Sequence, residues 1–259
     1  MAERQLNDPG TWRMDTFRVP PGSLVGRATV VDGPEGHHAI DVVRVRPGDF
    51  VRLIDGEGAE AIARVDAAAH SEAALSIIEI RSHERRSGVE LTVVQALLKG
   101  RAFDEVVRRC SELGVTEIVP VLTARTIGRL PGGAEESRLA RWEAIALAAV
   151  KQSRGVFVPR IGAVRDLAGV CGLVGEHDRA LVAWEEEAEA DLKDALGPPA
   201  PRRILLVVGP EGGLAADEVE GLVAAGATTV SAGRRVLRAD WAAAAVAAMI
   251  SYEVGGLLP

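Results

Sequence analysis

The residues best placed to do chemistry lie in two segments, Gly209-Pro210-Glu211-Gly212-Gly213 and Ala232-Gly233-Arg234-Arg235-Val236-Leu237-Arg238, with Asp240 just beyond. The first follows the apolar run Ile204–Val208, which reads as a central parallel strand covered on both faces. Three glycines in five residues permit positive φ and let main-chain N–H groups approach a ligand with no Cβ in the way. The spacing is that of neither G-x-x-x-x-G-K-[ST] nor G-x-G-x-x-G, which excludes those phosphate cradles. Alone, the loop reads either as a ligand cradle or as a tight strand-to-helix turn. A helix is predicted over Leu214–Ala225, a short strand over Thr228–Ser231, and an alanine-rich final helix over Trp241–Val254, apolar nearly all round and therefore expected to be buried. Both loops then leave the carboxyl ends of strands, where an open α/β sheet takes its ligand.

Further polar candidates share that placement. Lys99 and Arg125 each follow a predicted strand, Val89–Leu97 and Glu117–Leu122, and point to the same sheet edge. Lys151, Gln152 and Arg154 gather at the end of a predicted helix, Ser137–Ser153, where the helix dipole alone also favours cations. The acidic Glu185-Glu186-Glu187 follows the predicted strand Ala180–Trp184 and reads as solvated surface. No metal is expected: His37 and His38 have no ligand-spaced partner, and Cys110 and Cys171, far apart, read as reduced thiols.

The elements that must position these residues fall into two groups. From Val89 onward strands alternate with helices, one of them Arg101–Leu113 with Phe103, Val106, Val107, Cys110 and Leu113 on a single stripe, which predicts a parallel α/β sheet. Before it, β-prone runs at Ala28–Val31, Asp49–Ile54, Glu60–Val65 and Ala74–Ile80, punctuated by turn residues, predict a small barrel interrupted by an amphipathic turn at His37–Val45. Arg81–Gly88 reads as an exposed linker. The expected domains are residues 17–84 and 85–259, preceded by a flexible 1–16.

At 259 residues the chain suits one large or two small domains. It carries no apolar run long enough for a membrane helix and no signal-peptide pattern at its start, so the cytoplasm is expected. The net charge of −7 argues against non-specific nucleic-acid binding, but its distribution does not. Gln95–Arg165 holds 12 lysines and arginines against 7 acids, and Glu176–Leu196 holds 2 against 8, so an acidic chain presents a basic middle to phosphates.

The pairing of GPEGG with GRRVLR resembles the RsmE family, SPOUT-class enzymes that use S-adenosylmethionine to methylate N3 of a uridine in 16S ribosomal RNA. Gly209–Gly213, Glu218, Gly233, Arg235, Val236, Leu237, Arg238 and Ala242 match the family pattern. So do Leu98-Lys99-Gly100 with Asp104, Ala124-Arg125, Arg141-Trp142 and Lys151-Gln152-Ser153. His37-His38 through Gly48-Asp49, including Arg44, is similar to the family's N-terminal segment. The likeness spans about residues 17–250.

The resemblance implies a knotted SPOUT parallel sheet with helices on both faces, a PUA-like N-terminal β-barrel that helps bind RNA, and a homodimer with the last helix near its interface. It implies that Val208, Gly209–Gly213, Ala232, Gly233, Arg235, Val236 and Leu237 hold S-adenosylmethionine. Arg44, Lys99, Lys151, Gln152 and Arg154 are candidate contacts to the 16S rRNA of the small ribosomal subunit. Methyl transfer to a weakly acidic N3–H calls for alignment and for a cation beside the forming anion. Arg125 is the first choice for that cation and Arg238 the second, with Asp240 accepting the proton or orienting the base.

Three departures fall beside the donor site. The family's L-R-T-E-T-A is Leu237-Arg238-Ala239-Asp240-Trp241-Ala242 here, its capping serine is Ala215, and Ala232 replaces leucine before Gly233. Asp240 also reads as a possible N-cap of the final helix. Ribose 2′-O methylation, or an RNA-binding relative that has lost turnover, remain the alternatives.

Overall fold

The computed structural model describes residues 14–84, 88–126 and 135–255. They form two compact units, one comprising the described chain up to Glu84 together with Arg154–Phe157, the other comprising the rest.

In the first unit, β1 (Thr16–Arg18), β2 (Ala28–Val31), β3 (Phe50–Ile54), β4 (Ala59–Ala69) and β5 (Glu72–Ser82) form one sheet in the order β1-β3-β4-β5-β2. β1 joins β3 in parallel and the other pairs are antiparallel. Register shifts at Ile62/Ala63 and Val65/Ala67 bend the long β4–β5 ribbon. Phe17, Leu53, Ala61, Ala63, Val65 and Leu75 cover the inner face together with Leu24, Val31 and Ala39. Between β2 and β3, α1 (Gly33–His37) passes into a π-helical turn, His38–Val43, which ends at Arg44 with φ 61°. The helical stretch thus begins earlier than the turn predicted at His37–Val45.

Three boundaries differ from those expected. Arg81 and Ser82 complete β5 instead of opening the linker, because Arg81 and Ser82 pair with Glu60 and Ala59; residues 85–87 lie outside the described residues. Thr16 pairs with Arg52 and so belongs to the sheet, while 1–13 lie outside the described residues. Arg154–Phe157, expected in the second domain, belong to the first unit. The buried Arg52 donates Nη2 to the carbonyls of Arg154 and Gly155 at 3.2 and 3.3 Å and Nε to Glu60 at 2.7 Å. The Phe157 ring occupies the space where a Cβ on Gly58 would lie, 2.7 Å away.

In the second unit, β6 (Glu90–Ala96), β7 (Glu117–Leu122), β8 (Arg160–Ile161), β10 (Arg179–Ala183), β11 (Arg203–Val208) and β12 (Thr228–Val230) run in the order β12-β10-β11-β6-β7-β8. The short β9 (Arg165–Asp166) also pairs with β7, and every pairing in the sheet is parallel. Alternation along the strands feeds two cores. Leu91, Val93, Ile118, Leu181, Ile204 and Leu206 meet α2 (Ala102–Glu112), α3 (Glu135–Ser153), α5 (Leu192–Leu196) and α7 (Ala239–Glu253). Val94, Val119, Val121, Val182, Leu205 and Val207 meet α4 (Leu167–Val174) and α6 (Ala216–Ala224) on the opposite face. The sheet is therefore buried on both sides, as its continuous apolar strands require. The Pro- and Gly-containing stretch that follows Thr126 in the sequence lies outside the described residues from 127 to 134.

The last helix departs from the expectation of full burial. Ala243, Val246, Ala247 and Ile250 enter the core, but Trp241, Met249 and Tyr252 are 50, 43 and 67% exposed. The helix lies on one face of the sheet, so only one of its own faces finds the core; small alanines let that face approach closely.

Candidate functional site

Parallel strands deliver five loops to one edge of the second unit's sheet. The main chain after β11 turns at Pro210, whose carbonyl accepts the Gly213 N–H at 3.0 Å, and Gly213 sits at φ +72°. A side chain at Gly209 would bring its Cβ to 3.1 Å from the Leu214 nitrogen, so the tight turn leaves little room for one. Gln95, fully buried at the end of β6, donates Nε2 to the carbonyls of Ala96 and Gly209 at 3.0 Å each, and stitches this turn to its neighbouring strand.

A cavity of about 530 Å³ opens at that edge, within the size range of small-molecule sites. Val208, Gly209, Pro210, Glu211 and Gly213 line it from one side, and Ala232 through Asp240 from another. Both loops singled out from sequence thus face one space. Gly212 is the exception among the expected cofactor residues: it is absent from the lining, and its carbonyl accepts Arg125 Nη1 at 2.8 Å. Arg125, exposed after β7, is brought against the glycine loop by this bond. Lys99 is held to the same loop by its main chain, its N–H donating to Glu211 Oε1 at 3.0 Å.

Asp240 lines the cavity but is not the N-cap of α7; Arg238 holds that position, and Asp240 falls in the first turn. Its carboxylate is drawn there by Arg238, whose Nε and Nη2 donate to Oδ1 and Oδ2 at 3.0 and 3.3 Å. Arg109 Nη1 stands 3.8 Å from Oδ2, and the Arg109 guanidinium lies 5.0 Å over the Trp241 ring.

Sequence reasoning missed Trp184, Glu185, Ser231 and Arg234, all of which line the cavity. Glu185 follows β10 by the same topological rule that marked Lys99 and Arg125, so its position carried the signal that the acidic run obscured. A Cβ on Gly213 would lie 1.7 Å from Glu185 Oε1, so the carboxylate rests directly on the glycine backbone. Glu187 is also more than solvated surface. It accepts from Thr229 Oγ1 at 2.6 Å and from the N–H groups of Glu189 and Ala190 at 3.0 and 3.1 Å, fastening the loop after β10 to β12.

These bonds, the Thr229 hydroxyl first, lower the Glu187 carboxyl from 4.5 to about 2. Between those values the unfolded chain binds more protons than the folded one, so stability falls as pH drops through this window. Glu187→Gln should therefore flatten the acid limb of stability against pH, measured by denaturant unfolding from pH 5 to pH 2. An unchanged slope would contradict the assignment.

The second departure beside the loop is local. Ala215 is the N-cap of α6 and supplies no side-chain hydrogen bond. Ala215→Ser should raise stability by about 1 kcal/mol, read from the denaturation midpoint, through a hydroxyl that accepts the Glu218 N–H. No gain would mean that the first turn already satisfies that donor.

The expected RNA contacts are divided between the two units. Arg44 and Arg154 belong to the first unit, each exposed and each with positive φ, 61° and 62°. Lys99, Lys151 and Gln152 belong to the second, the last two in the final turn of α3. Among the described residues no group of three or more His, Cys, Asp or Glu side chains is disposed to hold a metal ion. Cys110 is a packing residue, its thiol pushed up to about 12 by burial.

A family model described as an RNA methyltransferase domain matches residues 85–251, and one described as an RNA methyltransferase PUA domain matches residues 31–78. A Mycobacterium tuberculosis protein named ribosomal RNA small subunit methyltransferase E is 34% identical over 227 residues, which cover 85% of this chain and 84% of that protein. The chain belongs to the RsmE family of RNA methyltransferases. The Bacillus subtilis protein of the same name is 28% identical over 228 residues, covering 86% of this chain and 89% of that one. The crystal structure of the Neisseria gonorrhoeae ribosomal RNA small subunit methyltransferase E, bound to S-adenosylmethionine, is similar with a TM-score of 0.81 and 28% identity, covering 92% of this chain and 97% of that one. The RsmE fold therefore accounts for both units: a SPOUT-type parallel sheet with helices on both faces and a PUA-like N-terminal sheet.

The residues present suit that donor. A glycine cradle leaves main-chain groups open, while Glu185 and Glu211 offer negative charge to an amine or sulfonium and Arg234 and Arg235 offer positive charge to a carboxylate. A zwitterionic ligand with an added sulfonium charge needs both signs in one cavity.

Proposed function

We propose that this chain methylates N3 of a uridine in the 16S rRNA of the small ribosomal subunit. The observation that carries this reading is the single cavity formed by the GPEGG and GRRVLR loops with Arg125 fixed at its glycine turn, in a chain of the RsmE family. When bound, S-adenosylmethionine supplies an electrophilic methyl group on a sulfonium. The glycine loop and Ala232–Leu237 hold the donor and exclude water from it.

Arg125 presents its guanidinium to the edge of the base. The N3 proton passes to solvent water, the N–CH₃ bond forms as the S–CH₃ bond breaks with its electron pair staying on sulfur, and the guanidinium charge stabilises the nitrogen anion as it develops. Arg238 carries a second cation at the cavity mouth. Asp240 acts by holding Arg238, whose Nε and Nη2 both donate to its carboxylate. Arg44 and Arg154 in the first unit, and Lys99, Lys151 and Gln152 in the second, contact rRNA backbone or bases.

The experiment is transfer of labelled methyl from S-adenosylmethionine to small subunits and to free rRNA that both lack the modification. Label in rRNA supports the reading; bound donor with no label in either substrate overturns it.

Two companion proposals concern assembly and place. The exposed face of α7, with Trp241, Met249 and Tyr252, is the contact surface of a homodimer. Sedimentation equilibrium should then give twice 27.3 kDa, and a 27.3 kDa species alone would contradict it. Among the described residues no helix is long and apolar enough to cross a membrane. An rRNA substrate supports a cytoplasmic location, testable by fractionation with ribosomal subunits.

A further inference from the structure

We infer that Glu218 is a positioning residue that sets Arg125 against the glycine loop. The inference rests on the reading of Arg125 given above. Glu218 is only 8% exposed and stands three residues after the N-cap of α6. Its two oxygens divide their work. Oε2 accepts the N–H of Ala215, at the start of its own helix, at 2.9 Å. Oε1 accepts the N–H of Ala124, in the loop after β7, at 2.7 Å.

Ala124 is the residue before Arg125, so the Arg125 main chain is anchored by Glu218 and its guanidinium by the Gly212 carbonyl at 2.8 Å. The side chain also lies flat on the turn: a Cβ added to Gly212 would meet Arg125 Cβ at 3.5 Å. Two anchors on opposite ends of one side chain leave little freedom for the charged group.

The residue type supports this reading. A hydroxyl at position 215 would cap α6 locally, and at lower electrostatic cost than a carboxylate taken out of water. Only a side chain with two acceptors can serve the helix start and the loop after β7 together. Glu211 makes a comparable bond to the Lys99 N–H, but it lines the cavity, so changing it disturbs the donor site itself. Glu218 does not line the cavity and can be changed alone.

Glu218→Gln keeps the volume but removes the carboxylate charge that both N–H donors share and turns an NH₂ group toward one of them, which loosens the loop and the helix start together. Ala215→Ser restores a helix cap without restoring the bond to Ala124. The test compares wild type, A215S, E218Q, A215S/E218Q, R125A and R125A/E218Q. It measures the denaturation midpoint, the Kd for S-adenosylmethionine, and kcat on small subunits lacking the methyl group.

The expected result has three parts. A215S/E218Q regains the wild-type midpoint and donor Kd, yet its kcat stays about 10²-fold low, the size of effect that misplacing a reacting group produces. E218Q causes no further loss of kcat in the R125A background, because both changes remove the same contribution. Recovery of kcat together with stability in A215S/E218Q, or multiplying losses in R125A/E218Q, would overturn the inference and leave Glu218 a stability residue. A loss in R125A without a loss in E218Q would reject the clamp and keep Arg125. No loss in R125A would reject both.

Discussion

Replacing Arg125 by alanine lowers kcat for methyl transfer about 10²–10³-fold and leaves the Kd for S-adenosylmethionine at its wild-type value. The magnitude is that of deleting one preorganised donor aimed at developing negative charge. The separation of kcat from donor binding follows from the geometry. Arg125 donates to the Gly212 carbonyl and packs on that glycine, but it does not line the donor cavity. Its main chain is fixed by Glu218, so the guanidinium is held before the base arrives and little reorganisation is needed in the reaction. Single-turnover rates with saturating donor give the chemical step, and calorimetry gives the donor Kd. A variant that loses donor affinity in parallel with rate would make Arg125 a donor ligand instead.

Replacing Gly36 by alanine destabilises the first unit by about 3 kcal/mol, although alanine is the better helix former. Propensity alone favours the change by up to about 1 kcal/mol in α1. Against it, the new Cβ would lie 2.0 Å from the Ser71 carbonyl oxygen and 2.9 Å from that of Val31. These are main-chain atoms of the β4–β5 turn and of β2, so no side chain can swing aside. The turn has little slack, with His70 and Ser71 both at positive φ, 52° and 65°. The steric term wins. Affinity for small subunits should fall with the unfolding of this unit while donor binding stays. A midpoint equal to or above wild type would mean that α1 shifts freely on the sheet.

Much of this was legible because its causes are local. The strand cores and the helices of the second unit follow from apolar runs and helical stripes, and ligand loops at strand carboxyl ends follow from topology. The two loops matched by resemblance do line one cavity. What sequence reading missed depends on distant partners. Arg154–Phe157 join the first unit through Arg52 and Gly58, contacts that no periodicity encodes. Glu185 was hidden in an acidic run whose composition says surface, although Gly213 provides it a seat. Asp240 has N-cap chemistry but sits in the first turn, because Arg238 and Arg109 surround its carboxylate. The nearly all-round apolar character of α7 could not tell a fully buried helix from one that leaves Trp241, Met249 and Tyr252 exposed.

The most direct test of the central claim is the identity of the methylated nucleoside. Small subunits lacking the modification are incubated with this protein and labelled S-adenosylmethionine, and the rRNA is digested and separated by mass and retention. Label in 3-methyluridine is the predicted result. Label in a 2′-O-methyl nucleoside would contradict it.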